Sequence, residues 1–293
     1  MKKLLIPALA GMGLCFAQTI VNAQDETKAR VEFKEHVSKQ FDFKNGVVAV
    51  YNVEGFIKVE GYAGDKVTME VDKTIYADNQ ESLDQGKQEF KLMFDQNTDS
   101  IISYILEPYD SRPHRTVYDD NGEHRRRYYR VRLDYTIKVP FNSNLCVSTV
   151  NRGNVDVKDV YGALKVNNVN GGITIVNAKG TTNARTINGP LTINYLSIPP
   201  DASSYFSLNG TLKVTYPSSL SADLEFKSMN GKFYTDFENT EVLPSKVVKL
   251  ESKKDEGSTV YKLSKSSQIR IGSGGKDFKF ETLNGNIYIQ KQQ

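Results

Sequence analysis

The sequence predicts an all-β protein in which similar strands stack as the parallel rungs of a β-solenoid. The first observation is an Asn-Gly pair that returns at Asn170, Asn188, Asn209, Asn230 and Asn284, at intervals of 18, 21, 21 and 54 residues. The second is the alternation of apolar and polar residues on both sides of each pair, which is typical of β-strands. The third is an apolar residue directly before each Asn, which favours a bent chain over a flat hairpin.

The N-terminus reads as an export signal. Two lysines precede an apolar run that ends at Val21-Asn22-Ala23, and this order is typical of a secretory signal peptide. We therefore interpret residues 1–23 as a signal peptide, and the mature chain as exported: periplasmic, held at the outer surface or secreted. Lipidation at Cys15 is disfavoured because Leu14 precedes it, where a small residue is usual. No later stretch is apolar for long enough to span a bilayer.

Charge, cysteine and histidine content exclude several function classes. Without Lys2 and Lys3, the 38 basic residues become 36 against 35 acidic ones, so a nucleic-acid partner is not expected. Cys146 is the one thiol that remains, which rules out an internal disulfide. The three histidines lack metal-ligand spacing, and no nucleophile or phosphate-binding motif is present. We predict no metal and no cofactor.

Residues 24–144 are interpreted as a first rung and a β-rich cap. The stretch "VAVYNVEGFIKV" (48–59) fits the repeat with Glu54 in the place of Asn. Residues 62–144 then interrupt the repeat with alternating strands and a short helix near 79–88. Because an open solenoid end exposes unpaired backbone, we expect this excursion to cover one end of the stack.

Residues 145–293 hold the remaining rungs and form one continuous domain with residues 45–144. The positions four before each Asn, and two and four after each Gly, are apolar, as Val166, Ile173 and Ile175 show. The residue directly before Asn is apolar in seven copies: Val53, Val150, Val169, Ile187, Leu208, Met229 and Leu283.

In a flat hairpin, the residue before Asn would face water. Its apolar character therefore predicts that it points inward and that the chain bends at each Asn-Gly. Asn and Gly tolerate the left-handed backbone expected at such a corner, and stacked Asn side chains are expected to form a ladder. A hairpin-based sandwich or meander is the alternative. The predicted corner residues are Asn151, Asn170, Gly171, Asn188, Gly189, Asn209, Gly210, Asn230, Gly231, Asn284 and Gly285.

Several stretches in a fixed order carry a family resemblance. The run "YTIKVPFNSNLCVSTVNRGNVDVKDVYGALKVNNVNGGITI", the Pro-bearing loops after it and "FKFETLNGNIYI" resemble a bacterial family of exported domains of unknown function, which are named as proposed adhesins. The resemblance covers roughly residues 45–290. It implies a right-handed parallel β-helix and a non-catalytic protein of the cell envelope. No catalytic residue is transferred, because none is defined for the family.

One segment concentrates positive charge. Residues 111–132 hold seven of the eleven arginines, together with Tyr118, Tyr128 and Tyr129. Guanidinium groups beside tyrosines suit carboxylate- or phosphate-bearing glycans. The alternative is a strand edge and loop that the arginines keep soluble. The candidate ligand-binding residues are Arg112, Arg115, Arg125, Arg126, Arg127 and Arg130.

We interpret the protein as a non-catalytic, adhesin-like binding or structural module of the cell envelope, with an anionic glycan or an envelope protein as its partner. Two alternatives stay open: a polysaccharide lyase or glycoside hydrolase built on a β-helix, and an envelope scaffold or stress-related protein. Cleavage of a glycan requires converging carboxylates. The outward candidates Asp156, Asp159, Glu225 and Asp236 do not recur at stacked positions.

Overall fold

The structure is a computed structural model that describes residues 30–114, 128–253 and 259–293. The predicted signal peptide lies outside these ranges and stays a prediction. Within them the protein is all-β, with 21 strands and one α-helix of 10 residues. The strands form two large sheets, one of ten strands and one of eleven.

The N-terminal third contributes seven strands and the helix. Asn79 caps helix α1, because its side chain accepts a hydrogen bond from the backbone N–H of Ser82. The short helix predicted near 79–88 is thus confirmed. The elements are β1 (Val31–Asp42), β2 (Val47–Tyr51), β3 (Ile57–Tyr62), β4 (Lys66–Ala77), α1 (Gln80–Glu89), β5 (Lys91–Gln96), β6 (Ser100–Glu107) and β7 (Tyr129–Pro140).

The rest of the chain contributes fourteen strands. Most of them are short and alternate buried with outward side chains, as their sequence pattern predicts. They are β8 (Asn144–Thr149), β9 (Val155–Lys158), β10 (Leu164–Asn168), β11 (Ile173–Ala178), β12 (Thr182–Asn188), β13 (Leu191–Tyr195), β14 (Ser203–Asn209), β15 (Leu212–Tyr216), β16 (Ala222–Ser228), β17 (Phe233–Thr235), β18 (Thr240–Lys253), β19 (Thr259–Ile271), β20 (Lys276–Asn284) and β21 (Ile287–Lys291).

Successive strands of the repeat lie in different sheets. The first sheet has the order β1-β4-β7-β3-β9-β11-β13-β15-β21-β17, and the second has the order β18-β19-β16-β20-β14-β12-β10-β8-β2-β6-β5. Strand β12 pairs in parallel with β10 and β14, whereas the next strand, β13, pairs in parallel with β11 and β15. Asn188-Gly189 therefore connects the two sheets, which contradicts a hairpin at this position.

One hydrophobic core fills the space between the sheets. The predicted inward residues Val166, Ile173 and Ile175 are buried, as expected. Towards the C-terminal end the core becomes aromatic, and the rings of Tyr205 and Phe280 stack with their centroids 4.8 Å apart. Aliphatic and aromatic layers thus share a single core across the stacked strands.

Three buried tyrosines place hydroxyl groups inside this core. The hydroxyl of Tyr205 lies 2.8 Å from that of Tyr195 and accepts a hydrogen bond of 2.9 Å from that of Tyr216. Burial raises the pKa of all three phenols well above the ordinary value. The three hydroxyl groups are therefore hydrogen-bonded to one another. Buried polar groups in proteins generally have such partners.

The prediction that the residue before each Asn points inward is wrong. Val169, Ile187 and Leu208 are only half-buried, and Met229 is 78% exposed. The buried position is one residue earlier. It is occupied by small polar side chains, namely Asn52, Thr149, Asn168, Thr186, Ser207 and Thr282.

These polar side chains form hydrogen bonds with backbone carbonyl groups at the bend. Thr186 Oγ1 donates to the carbonyl oxygen of Gly171 at 2.8 Å, and Ser207 Oγ donates to that of Gly189 at 2.9 Å. Each therefore ties its copy to the copy before it. A buried carbonyl without a partner is costly, so the position selects a short hydroxyl or amide side chain rather than an apolar one.

The expected reason for glycine at the corner is also wrong. The Asn-Gly glycines are not among the residues with a left-handed backbone. Their role is close approach. A Cβ on Gly210 would lie 1.9 Å from the carbonyl oxygen of Gly189, and one on Gly189 would lie 2.3 Å from that of Gly171. Stacking of the copies therefore leaves no room for a side chain there.

Candidate functional site

The Asn side chains named above are hydrogen-bonded in one continuous row along an edge of the protein. Asn188 Nδ2 donates to Asn170 Oδ1 at 2.8 Å, and Asn209 Nδ2 donates to Asn188 Oδ1 at 2.8 Å. The row begins with Asn170 Nδ2 donating to Asn151 Oδ1 at 2.7 Å. It continues through Asn284 to Asn230 at 2.7 and 2.8 Å. We call these six residues the Asn ladder.

The first copy ends the Asn ladder with charge. Glu54, in the Asn place, forms an isolated parallel bridge with Asn151. Its carboxylate accepts from Arg130 Nη2 at 2.7 Å and from Arg152 Nη1 at 3.4 Å. Arg130 is therefore engaged by a carboxylate of the fold itself. Arg152 is not among the predicted binding residues, because its partner is a neighbour only once the copies are stacked.

The second described arginine of the predicted site is also engaged internally. Arg112 lies in the loop after β6, and its Nε donates to Asp110 at 2.9 Å. Its guanidinium carbon lies 3.9 Å from the centroid of the Tyr104 ring. The Asp110 carboxylate raises the pKa of Arg112 above the ordinary value. These contacts hold the loop against the second sheet.

The arginine segment is therefore only partly described. Arg112 lies in the loop after β6 of the second sheet and Arg130 in β7 of the first sheet, and each is paired with its own carboxylate. Arg115, Arg125, Arg126 and Arg127 lie outside the described residues. For the two described members, the geometry supports the structural interpretation of the segment.

A different basic surface lies on the outer face of the first sheet. It is a shallow groove of about 420 Å³ that crosses β7, β3, β9 and β11. Strand register places its side chains in two rows: Thr136, Lys58, Asp156 and Thr174 in one, and Lys138, Glu60, Lys158 and Val176 in the other. We call this surface the lysine groove.

Three lysines dominate the charge of the lysine groove. Lys158 Nζ lies 4.0 Å from Glu60 Oε1 and 3.8 Å from Asp159 Oδ2, so this lysine is already paired with two carboxylates. Lys58 Nζ lies 4.6 Å from the centroid of the Phe56 ring, a contact that leaves the ammonium free for an anion. Lys138 has no ion pair within the described part of the chain. Because Lys58 and Lys138 form no ion pair within the described residues, the lysine groove offers two ammonium groups to an anionic ligand.

The carboxylates considered for catalysis are dispersed. Asp156 lies in the lysine groove with Glu60, whereas Asp159 accepts a hydrogen bond from Asn177 Nδ2 at 2.7 Å. Glu225 lies on β16 of the second sheet. Asp236 follows β17, which is five strands from β9, or roughly 24 Å at the usual strand spacing. The four candidates therefore do not converge on one bond.

Two further findings concern the described ranges alone. In residues 30–114, 128–253 and 259–293, no three His, Cys, Asp or Glu side chains are grouped so that they can hold a metal ion. Across those same residues, no helix is both long and apolar enough to cross a membrane.

Comparison with known proteins gives low similarity. No family model and no curated protein matches the chain. A proposed cell adhesion protein from Clostridium sporogenes is 10% identical with a TM-score of 0.42, covering 89% of this chain and 100% of its own. A proposed adhesin from Bacteroides fragilis is 10% identical with a TM-score of 0.34, covering 88% and 97%. A proposed lipid binding protein from Parabacteroides distasonis is 8% identical with a TM-score of 0.29, covering 88% and 97%. At these values the likeness establishes no family.

Proposed function

We propose that the protein is a non-catalytic, adhesin-like binding module of the cell envelope that recognises an anionic glycan through the lysine groove. The observation that carries this proposal is the placement of Lys138, Lys58 and Lys158 on the outer face of three neighbouring strands. We also propose that the stacked strands form a right-handed parallel β-helix with residues 24–144 as first rung and cap. In this β-helix, the residues of the Asn ladder and the glycines that follow them form the corners between the two sheets.

The shape of the lysine groove suits an extended polymer. The groove crosses the strands, so Lys138 and Lys158 lie two strand spacings apart, or roughly 10 Å, with Glu60 between them and Lys58 in the neighbouring row. An ammonium group acts as a point charge without a required plane, and therefore accepts carboxylate, sulfate or phosphate substituents in varied orientations. The hydroxyls of Thr136 and Thr174, in the same row as Lys58, donate to or accept from sugar hydroxyls.

The arginine segment has a secondary role in this proposal. Arg112 and Arg130 already neutralise carboxylates of the protein, so recruiting them for a ligand would leave those carboxylates unpaired. Arg115, Arg125, Arg126 and Arg127 are proposed as a further basic contact for the same polymer. An envelope protein with an acidic surface is the other partner that this charge distribution fits.

The test compares two triple variants of the mature chain. In the groove variant, Lys58, Lys138 and Lys158 are replaced by Gln. In the control variant, the outward lysines Lys165, Lys213 and Lys279, which lie on other strands, are replaced by Gln. Both variants lose the same charge. Binding to polygalacturonate and heparin is measured by calorimetry at low and high salt, because exposed charge pairs are screened by salt.

The groove variant is expected to bind on the order of tenfold or more weakly, since each exposed charge contact contributes about 0.2–1 kcal/mol. The control variant is expected to bind like the unmodified chain. Equal losses in both variants, or no loss in either, would refute recognition by the lysine groove. Polymer length is followed in the same samples. If the unmodified chain shortens the polymer, and the Glu60→Gln or Asp156→Asn variant does not, the function is glycan cleavage rather than binding alone.

A further inference from the structure

A second cavity lies at the N-terminal end of the two sheets and is independent of the lysine groove. It opens between β1, an edge strand of the first sheet, and β5, an edge strand of the second sheet. Its volume is about 520 Å³, within the range of small-molecule sites. We call it the end cleft. It is lined by Glu35, Val37, Lys39, Phe41, Lys73, Phe90, Lys91, Leu92, Met93 and Phe94.

The end cleft exists because the two sheets do not close at this end. Strand β1 pairs only with β4, and β5 pairs only with β6. The interior is apolar: Val37, Phe41, Leu92 and Phe94 are half-buried and pack against the main core. The rings of Phe41 and Phe94, on opposite walls, have centroids 6.3 Å apart. Rings at this distance contact each other, so the open space of the end cleft lies beside the ring pair, along the other lining residues of the two walls.

The floor of the end cleft is core as well. In the pairing of β1 with β4, Val37 lies opposite Val71, and Phe41 lies opposite Val67. Both partner residues are fully buried. A ligand that enters between the two edge strands therefore meets apolar side chains on three sides: β1, β5 and β4.

The mouth of the end cleft is basic. Glu35 forms an ion pair with Lys73, which neutralises that pair. Lys39 and Lys91 have no ion pair within the described residues, and the cross-strand partner of Lys91 is Glu107. Lys39 occupies a position of β1 opposite the fully buried Met69. Its long stem can lie along the apolar wall while its ammonium stays at the mouth.

An apolar interior with a cationic mouth matches one ligand chemistry. We propose that the end cleft binds a fatty acid, with the acyl chain along the apolar side chains of the two walls beside the Phe41–Phe94 ring pair and the carboxylate held by Lys39 and Lys91. The apolar walls favour removal of the chain from water in proportion to the area buried. The two ammonium groups select an anionic head group over a neutral one. A glycan lacks the acyl chain, so this site and the lysine groove take different ligands.

The test uses the mature chain and calorimetric titration below the micelle concentration. Decanoate, dodecanoate and tetradecanoate are compared with dodecanol. We expect one molecule bound per chain, tighter binding with each added pair of methylenes, and at least tenfold weaker binding of dodecanol than of dodecanoate. Lys39→Glu with Lys91→Glu should weaken dodecanoate binding at least tenfold and leave dodecanol binding unchanged.

Two further variants make the result specific. Val37→Trp fills the end cleft and should abolish binding of both ligands, while the thermal unfolding midpoint reports whether the variant is folded. Lys165→Glu with Lys279→Glu changes the same charge elsewhere and should bind like the unmodified chain.

Three outcomes would overturn the proposal. One is the absence of dodecanoate binding by the unmodified chain. Another is equal binding by the Lys39→Glu, Lys91→Glu variant and the Lys165→Glu, Lys279→Glu variant. The third is sedimentation that shows a dimer dissociated by Val37→Trp, because the occupant would then be a second copy of this chain. None of these measurements depends on glycan binding, so the two proposals fail separately.

Discussion

Replacing Asn188 by Asp changes one atom in the middle of the Asn ladder. Asn188 Nδ2 donates to Asn170 Oδ1 at 2.8 Å, and Asn188 Oδ1 accepts from Asn209 Nδ2 at 2.8 Å. A carboxylate keeps the second hydrogen bond because it still accepts. It loses the first, because it has no N–H, and it sets one of its own oxygens against the oxygen of Asn170.

The cost of this change follows from the one bond lost. A hydrogen bond contributes about 0.5–1.5 kcal/mol net, and the ladder is exposed, which favours the lower half of that range. We expect Asn188→Asp to lower the free energy of unfolding by about 1 kcal/mol at pH 7. Since the folded protein favours the protonated carboxyl, which can donate, the pKa of the new group should be raised on folding. The deficit should therefore be absent below about pH 3.9, the pKa of Asp in an unfolded chain, and appear as pH rises through the folded pKa.

Denaturant unfolding at pH 3.5 and pH 7 measures this difference. Asn151→Asp is the matched control. Asn151 only accepts within the ladder, from Asn170 Nδ2 at 2.7 Å, so a carboxylate there loses no ladder bond. Its charged neighbour is the Glu54 carboxylate of the bridge, which is already paired with Arg130 and Arg152. Asn151→Asp should cost much less than Asn188→Asp. Equal costs, or a deficit that does not depend on pH, would show that the hydrogen bonds of the ladder do not stabilise the stack.

Other parts of the structure give three further expectations. Tyr205→Phe should destabilise the protein by about 2–3 kcal/mol, and Tyr216→Phe by only about 1, because the first removes the hydroxyl that serves two buried neighbours; chemical denaturation that ranks them equally would contradict this. His36 lies between two carboxylates that raise its pKa. Its stabilising contribution is therefore fully present below about pH 6.5 and lost as pH rises through the raised value, so His36→Asn should flatten the thermal midpoint measured from pH 6 to 8. Gly210→Ala should cost about 1–3 kcal/mol because its Cβ would meet a carbonyl oxygen at 1.9 Å, whereas Gly172→Ala, with its nearest atom at 3.3 Å, should cost little; similar unfolding midpoints for the two would refute the close-approach argument.

The alternation of apolar residues predicted the core well. Val166 and Ile173 are buried as that alternation requires, since a strand with one face against a core shows its burial in its own sequence. The orientation of the residue before Asn was predicted wrongly for a physical reason. Val169 and Ile187 are only half-buried. Neighbouring copies cover part of each apolar side chain, and the sequence of a single copy does not show which residues its neighbours will cover.

The candidate binding residues were harder to predict than the core. A cluster of arginines in sequence suggested a ligand site, but Arg112 and Arg130 are matched by Asp110 and Glu54. One of these carboxylates is 76 residues away from its arginine. The lysine groove was missed for the complementary reason. Lys58 and Lys138 are far apart in the chain, and only the order β7-β3-β9 makes them neighbours.

Local pattern alone was enough to predict most strands, the inward residues away from the corners, a short helix and the places where the chain leaves one sheet for the other, because each of these depends on residues a few positions apart. The order of strands decided the rest. It sets which carbonyl approaches each corner glycine, which carboxylate neutralises each arginine, and where two sheet edges fail to meet. Those features depend on contacts between distant parts of the chain, and such contacts exist only once the sheets have packed against one another.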